Sequence, residues 1–161
     1  MTPVTFLHML GISLWVGGVL AALVIIGATP VSQPAVVRGA AYRLLGRVYA
    51  WIVAPGAIAT TASGLGITII AASQGWGAGL GEPAVVAMQG VGLLAGILEI
   101  FVSFPMSQKL ARVASVGEPD ALPAVAELLR NRVAKVSGFA LALVIVALYF
   151  GVAGSAHLRI G

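Results

Sequence analysis

The feature that most constrains this chain is a set of four apolar segments, each about as long as a membrane is thick. A helix needs roughly 20 mostly apolar residues to cross the roughly 30 Å hydrocarbon core of a bilayer. The stretches that reach this length are residues 4–27, 47–71, 84–106 and 133–156. Of the 161 residues, 60% are hydrophobic and 9% are charged, which is typical of integral membrane proteins. The sequence therefore predicts one all-α membrane domain, 1–161, folded as an antiparallel bundle of four transmembrane helices.

The first apolar segment resembles a secretory signal only in its position. No Lys or Arg precedes it, and it is longer than the roughly 7 to 15 apolar residues of a signal sequence. We expect it to be retained as the first span.

The basic residues are distributed unequally between the two ends of the predicted bundle. One basic residue, Arg159, follows the fourth span. The others flank the first and third loops: Arg38, Arg43, Arg47, Lys109, Arg112, Arg130, Arg132 and Lys135. The positive-inside rule then predicts that both termini are outside, with the basic loops on the cytoplasmic side of the membrane. The net charge of +4 suits anionic lipid headgroups, and no basic run has the interleaved aromatics that favour nucleic acid.

Two local patterns add detail to this layout. Pro55 in the second span predicts a kink, because proline lacks the backbone donor and crowds the carbonyl one turn back. Gly56, Thr60 and Gly64 recur every four residues, which predicts close packing on a neighbouring helix.

The segment before the fourth span has its own helical pattern. Asp120 can cap a helix in which Leu122, Val125, Leu129 and Val133 repeat at helical spacing. This predicts a short amphipathic interfacial helix that runs into the fourth span.

One stripe of the first span carries a histidine on an otherwise flat, apolar face. His8 and Trp15 lie about two helical turns apart, with Gly11 and Gly18 on nearly the same line. His157 follows the fourth span, and the first and fourth helices of a bundle are usually neighbours. Neutral imidazole binds haem iron, so we expect a haem b site with His8 and His157 as ligands and the glycine stripe against the macrocycle.

The same residues also have structural interpretations. His8 could instead hydrogen-bond a backbone carbonyl of a neighbouring helix, and His157 could be a solvated terminal residue. Trp15 could be a packing residue. The chain has no cysteine, which excludes thiolate metal sites and disulfides.

Glu99 is the one charged residue that lies well within a predicted span. A carboxylate in hydrocarbon is costly, so it must face the bundle interior, a partner or water. The functional interpretation is a proton or cation relay. The alternative is a structural glutamate that is protonated or paired with Arg47.

Two segments resemble a group of small bacterial membrane proteins. They are HMLGISLWVGG, which contains His8 and Trp15, and YRLLGRVYAWIVAPGAIATTASGLGI. They resemble the first two spans of a group that includes the copper-resistance CopD domain, the HemJ-type protoporphyrinogen oxidases and the DUF2269 family, the last being most similar in layout. In the HemJ branch the first-span histidine is a haem b ligand, which the resemblance places on His8. Met88 and Gln89 stand where that branch has a lysine.

These observations predict a haem b-binding redox protein that passes electrons between a quinone or porphyrin and an outer carrier. The alternative is a non-catalytic accessory subunit, in which the glycine faces and Glu99 contact other membrane subunits or a second copy of the chain. Copper or ion transport is a third possibility, although the four methionines form no cluster that would favour Cu(I).

Overall fold

A computed structural model describes residues 2–75, 77–116 and 122–157, without the side chains of residues 77, 78 and 154–157. Four long helices make up most of this part of the chain. They are α1 (Pro3–Gly27), α2 (Ala35–Ser73), α3 (residues 83–116) and α4 (Ala124–His157). One further turn of helix, Gly77–Leu80, lies between α2 and α3. All four long helices are long and apolar enough to cross a membrane, which confirms the predicted all-α class with four spans for the described residues.

Three of the helices continue well beyond the predicted spans. The 39-residue α2 is about 59 Å long at a rise of about 1.5 Å per residue, roughly twice the thickness of the hydrocarbon core. The excess of α2, α3 and α4 lies at the end that carries the first and third loops, which we call the charged end. The predicted interfacial helix is not a separate element, because α4 is continuous from Ala124. Its predicted cap, Asp120, lies outside the described residues.

Contacts between consecutive helices fix their relative directions. Along α1 and α2, His8 meets Thr60 and Gly18 meets Val53, so residue numbers rise along one helix and fall along the other. Residue numbers also run in opposite directions along the other two consecutive pairs. Between α2 and α3, Gly46 contacts Ala111 and Thr68 contacts Gln89. Between α3 and α4, Gly92 contacts Ala147 and Glu99 contacts Ser137.

The contact between α1 and α2 is built on small residues. Gly11 lies directly against Thr60, and the buried Trp15 lies over Gly56. A Cβ atom at Gly56 would lie 2.6 Å from the backbone nitrogen of Trp15. The glycines therefore let the two backbones approach more closely than any larger residue would, as the spacing in α2 predicts.

A π-helical segment interrupts both α2 and α3. These segments are Tyr49–Val53 and Glu99–Ser103, and each is followed after one residue by a proline, Pro55 or Pro105. In each segment the backbone nitrogen after it bonds to the carbonyl five residues back, at Tyr49 or Glu99. A proline ring crowds the carbonyl four residues back, and a wider turn relieves that crowding. The helices therefore accommodate both prolines by local widening.

An ionic cluster joins α1, α2 and α4 at the charged end. Arg38 donates to the Glu127 carboxylate at 2.6 Å, and the Tyr42 hydroxyl donates to the same oxygen at 2.8 Å. Arg130 donates to the carbonyl oxygen of Ile26 at 2.9 Å, near the last turn of α1. The same carbonyl accepts from the backbone nitrogen of Thr29 at 3.3 Å, so the guanidinium is an additional donor at the carbonyl end of α1.

We expect Gly56→Ala to destabilise the protein by about 1–3 kcal/mol, because the added methyl group would push α1 away from α2. Gly17→Ala is the matched control. Gly17 also lies on one of these two helices, α1, but a Cβ atom there would meet nothing within 4 Å. The measurement is unfolding in mixed micelles, followed by circular dichroism. Equal stability of the two variants would contradict the packing described for α1 and α2.

Candidate functional site at Glu99

The candidate site lies where the two π-helical segments face the interior of the protein. Tyr49 is the first residue of the segment in α2, and Glu99 is the first residue of the segment in α3. Both side chains have a relative exposure of 0%, and so does Ser137 of α4. Three helices therefore contribute polar groups to one fully buried position.

The three side chains form a chain of hydrogen bonds. The Ser137 hydroxyl donates to Oε1 of Glu99 at 3.4 Å, and the Tyr49 hydroxyl lies 2.5 Å from Oγ of Ser137. When the carboxyl group is ionised, Ser137 donates to it and the Tyr49 hydroxyl donates to Ser137. Hydroxyl groups both donate and accept, so this chain can reverse direction when the carboxyl group gains a proton.

Two buried oxygen atoms beside this chain make no hydrogen bond of good geometry with any described residue, although they lie near enough to each other to interact. They are Oε2 of Glu99 and Oγ of Ser103, which lies one turn further along α3. Buried polar atoms are normally hydrogen-bonded. Two neighbouring oxygen atoms that lack such bonds therefore mark a place that can hold a proton, a water molecule or a small cation. Such widened turns occur frequently at functional sites.

Among the described residues, Glu99 makes no ion pair. The expected partner Arg47 is exposed and lies in a different contact, between α2 and α3, so the predicted pairing of Glu99 with Arg47 is wrong. The carboxyl group is held by hydroxyl groups instead.

Small and polar residues continue from Glu99 along one face of α3. They extend over most of the helix, as Gln89, Gly92, Gly96, Glu99, Ser103 and Ser107. Gly96 lies against the Thr61 hydroxyl, and Gln89 donates to the Thr68 hydroxyl at 3.0 Å. Towards the charged end the buried side chains Leu45, Leu110 and Val133 separate this site from the Glu127 cluster.

His8 lies at the opposite end of the molecule from the charged end, against α2. Its Nδ1 atom lies 3.0 Å from the carbonyl oxygen of Thr60 and 3.1 Å from Oγ of Ser63. A carbonyl accepts, so Nδ1 carries the proton and Nε2 has the lone pair in the neutral ring. The hydrogen bond to a backbone carbonyl matches the structural interpretation of His8, and it also fixes the tautomer that a metal-ligating histidine needs.

The face predicted to contact haem b is covered by α2. Gly11 lies against Thr60, Trp15 over Gly56 and Gly18 against Val53. The packing therefore does not fit a porphyrin between α1 and α2. The backbone of α4 ends at His157, but the side chain of this residue is outside the described part of the structure, so the predicted pair of His8 and His157 stays a prediction.

Some of the features that favoured an accessory subunit are used within the chain itself, whereas a Cβ atom at Gly90 would meet nothing within 4 Å. Glu99 is enclosed by its own helices, and Gly11, Gly18, Gly56 and Gly96 lie in contacts between them. Within the described residues, no group of three or more His, Asp or Glu side chains could hold a metal ion.

Sequence reasoning identified Glu99 but missed Tyr49, Ser103 and Ser137. A signal for Tyr49 was present, because Pro55 follows Tyr49 at the same spacing at which Pro105 follows Glu99. Ser103 lies one turn after Glu99 on the same helix. The contribution of Ser137 depends on how α4 is placed against α3, which the sequence pattern does not give.

No family model, curated protein or solved structure matches this chain.

We expect Ser137→Ala to destabilise the protein by about 1–3 kcal/mol, because it leaves Tyr49 and Glu99 buried without their shared partner. Ser115→Ala is the control, since this exposed hydroxyl bonds only to a carbonyl of its own helix, at Ala111. The control should change stability by less than about 0.5 kcal/mol. Thermal unfolding of both variants in detergent measures the difference, and a Ser137→Ala variant as stable as the control would argue against the buried chain.

Proposed function

We propose that this protein is a four-helix membrane protein that binds and transfers protons at the Glu99 carboxyl group. The observation that carries the proposal is a fully buried carboxyl group in a reversible hydrogen-bond chain, with no cation paired to it among the described residues. An ionisable residue within a membrane helix is by default a functional candidate, and proton relays use such residues.

The mechanism follows from the order of the groups. When Glu99 is ionised, it accepts from Ser137, and Ser137 accepts from Tyr49. When Glu99 takes up a proton, its own O–H becomes a donor, and the two hydroxyl groups can rotate to run the chain in the opposite sense. Each hydroxyl in the chain passes on one proton for each proton that it receives, so release from Glu99 through Ser137 requires the Tyr49 hydroxyl to give its own proton to a further acceptor, such as a water molecule.

The polar stripe of α3 supports a path to and from this carboxyl group. Ser103 and Ser107 follow Glu99 at intervals of one turn towards the charged end, and the polar part of the path ends at the buried Leu110. Successive turns are about 6 Å apart, so a proton crossing them needs intervening water molecules. The unpaired hydroxyl of Ser103 is available to such a molecule.

We further propose that the helices form an antiparallel bundle in a bacterial cytoplasmic membrane, with both termini outside. The charged end carries eight of the nine basic residues, and this asymmetry supports a cytoplasmic location for that end. Glu99 then lies closer to the cytoplasmic side than to the outer side.

The experiment uses the protein in liposomes that enclose a pH-sensitive dye, with an imposed potassium diffusion potential. This potential drives protons across the membrane. With the unmodified protein the internal pH should change faster than in protein-free liposomes, and Glu99→Gln should reduce the rate of this change to the protein-free level. Glutamine keeps the size and hydrogen-bonding capacity of the side chain but cannot ionise. Glu82→Gln is the matched control, because Glu82 is an exposed acid in the loop before α3.

A second measurement tests proton binding by itself. It applies if the protein passes its protons to a partner that the liposomes do not contain. Infrared difference spectra against pH should contain a carbonyl band from a protonated buried carboxyl group, which Glu99→Gln removes and Glu82→Gln retains. The proposal is wrong if Glu99→Gln changes neither the flux nor this band.

Haem b binding at His8 is a second candidate, favoured by the hydrogen bond that holds Nδ1 and leaves Nε2 with the lone pair. Since α2 covers the predicted macrocycle face, a haem would have to approach His8 from another side. Purified protein with a Soret band that His8→Ala removes and Trp15→Phe retains would support this candidate. A colourless protein from haem-supplied cells would exclude it.

A further inference from the structure

A groove with three arginines lies between α2 and α3 at the charged end. Its volume is about 560 Å³, within the range of small-molecule binding sites. The residues that line it are Arg43, Gly46, Arg47, Ala50, Trp51, Gln108, Ala111, Arg112 and Ser115. This groove is separate from Glu99 and plays no part in the proposed proton transfer.

Helical spacing brings the cationic groups of this groove together. Arg43, Arg47 and Trp51 recur every four residues and therefore share one face of α2. Gln108 and Arg112 have the same spacing on α3. The floor is formed where Gly46 meets Ala111, since a Cβ atom on Gly46 would lie 2.6 Å from that of Ala111. The two helices therefore place their basic residues along one shallow, open groove.

Part of the groove is held in place by hydrogen bonds, and part is free to bind. Arg43 donates to the carbonyl oxygen of Ala114 at 3.1 Å, and Gln108 donates to that of Gly46 at 2.8 Å. Arg47 and Arg112 are exposed and make no hydrogen bond or ion pair with any residue that the structure describes. These two guanidinium groups can therefore bind an anion.

The charge of the groove is not compensated within the described residues, none of whose carboxylates line it. Two other arginines at the charged end, Arg38 and Arg130, differ in this respect because they lie beside Glu127. An uncompensated cationic groove at the end of membrane helices attracts anionic headgroups.

Trp51 indicates what kind of anion fits. It lies one turn further into the apolar part of α2 than Arg47, and its side chain is 80% exposed. Tryptophan at that level packs on the glycerol and first methylene groups of lipids. A free phosphate ion would contact the arginines but would leave this ring without a partner.

We propose that this groove binds the headgroup of an anionic phospholipid. Arg47 and Arg112 donate to the phosphate oxygens, and Trp51 packs on the apolar part of the same molecule. Guanidinium groups bind phosphate oxygens through paired hydrogen bonds, which favours arginine over lysine at such sites.

The test is native mass spectrometry of the purified protein in detergent, titrated with cardiolipin, phosphatidylglycerol or phosphatidylcholine. We expect one anionic lipid to be retained per chain, and phosphatidylcholine not to be retained. The double variant Arg47→Gln with Arg112→Gln should bind cardiolipin roughly tenfold or more weakly. Both residues are exposed, and circular dichroism of each variant checks that the helices remain folded.

The matched control is Lys109→Gln with Arg132→Gln, which removes the same charge from exposed positions outside the groove. It should weaken binding by less than about twofold. Equal weakening by the two double variants would show general attraction to the charged end and overturn the proposal. Displacement of the lipid by millimolar inorganic phosphate would also overturn it, because the site would then be one for a free anion. Trp51→Ala should weaken lipid binding as well, and retention at the unmodified level would contradict the assigned position of the lipid.

Discussion

A carboxyl group in the apolar part of a membrane helix must find its hydrogen bonds inside the protein, because lipid offers none. Glu99 meets this constraint through Ser137, which in turn bonds to Tyr49. The constraint requires α2, α3 and α4 to meet at one level. It also requires the side of α3 that carries Glu99 to face inward, so that the large side chains on its other side, such as Phe101, face outward.

The paired prolines have a direct effect on this arrangement. Widening the turn before Pro55 and Pro105 changes which side chains point inward, because a π-helical turn contains more residues than an α-helical one. In α2 the inward residues of the widened turn are Tyr49 and Val53, and in α3 they are Glu99 and Ser103. The same backbone feature therefore presents an apolar and phenolic face on one helix and a carboxyl and hydroxyl face on the other.

Two sites at the charged end of the molecule use charge differently. At Glu127, arginines and a tyrosine are consumed in holding helices together, and they cap the end of α1 through Ile26. In the groove between α2 and α3, Arg47 and Arg112 have no such partner among the described residues. Charged residues at this end thus divide into a structural set and a set that faces the surroundings, and only the first contributes to the packing of the four helices.

The four spans and the inward position of Glu99 follow from the sequence by itself, because apolar length and the cost of a charge in lipid are properties of single segments. The close packing at Gly56 also follows, since it depends on spacing within one helix. Tertiary structure decided what packs against the stripe that contains His8, Gly11, Trp15 and Gly18. A flat face suits a cofactor or another helix equally well, and only the placement of α2 covers most of it. The partners of Glu99 were decided in the same way, because hydrogen bonds between helices depend on their relative register, which no single segment encodes.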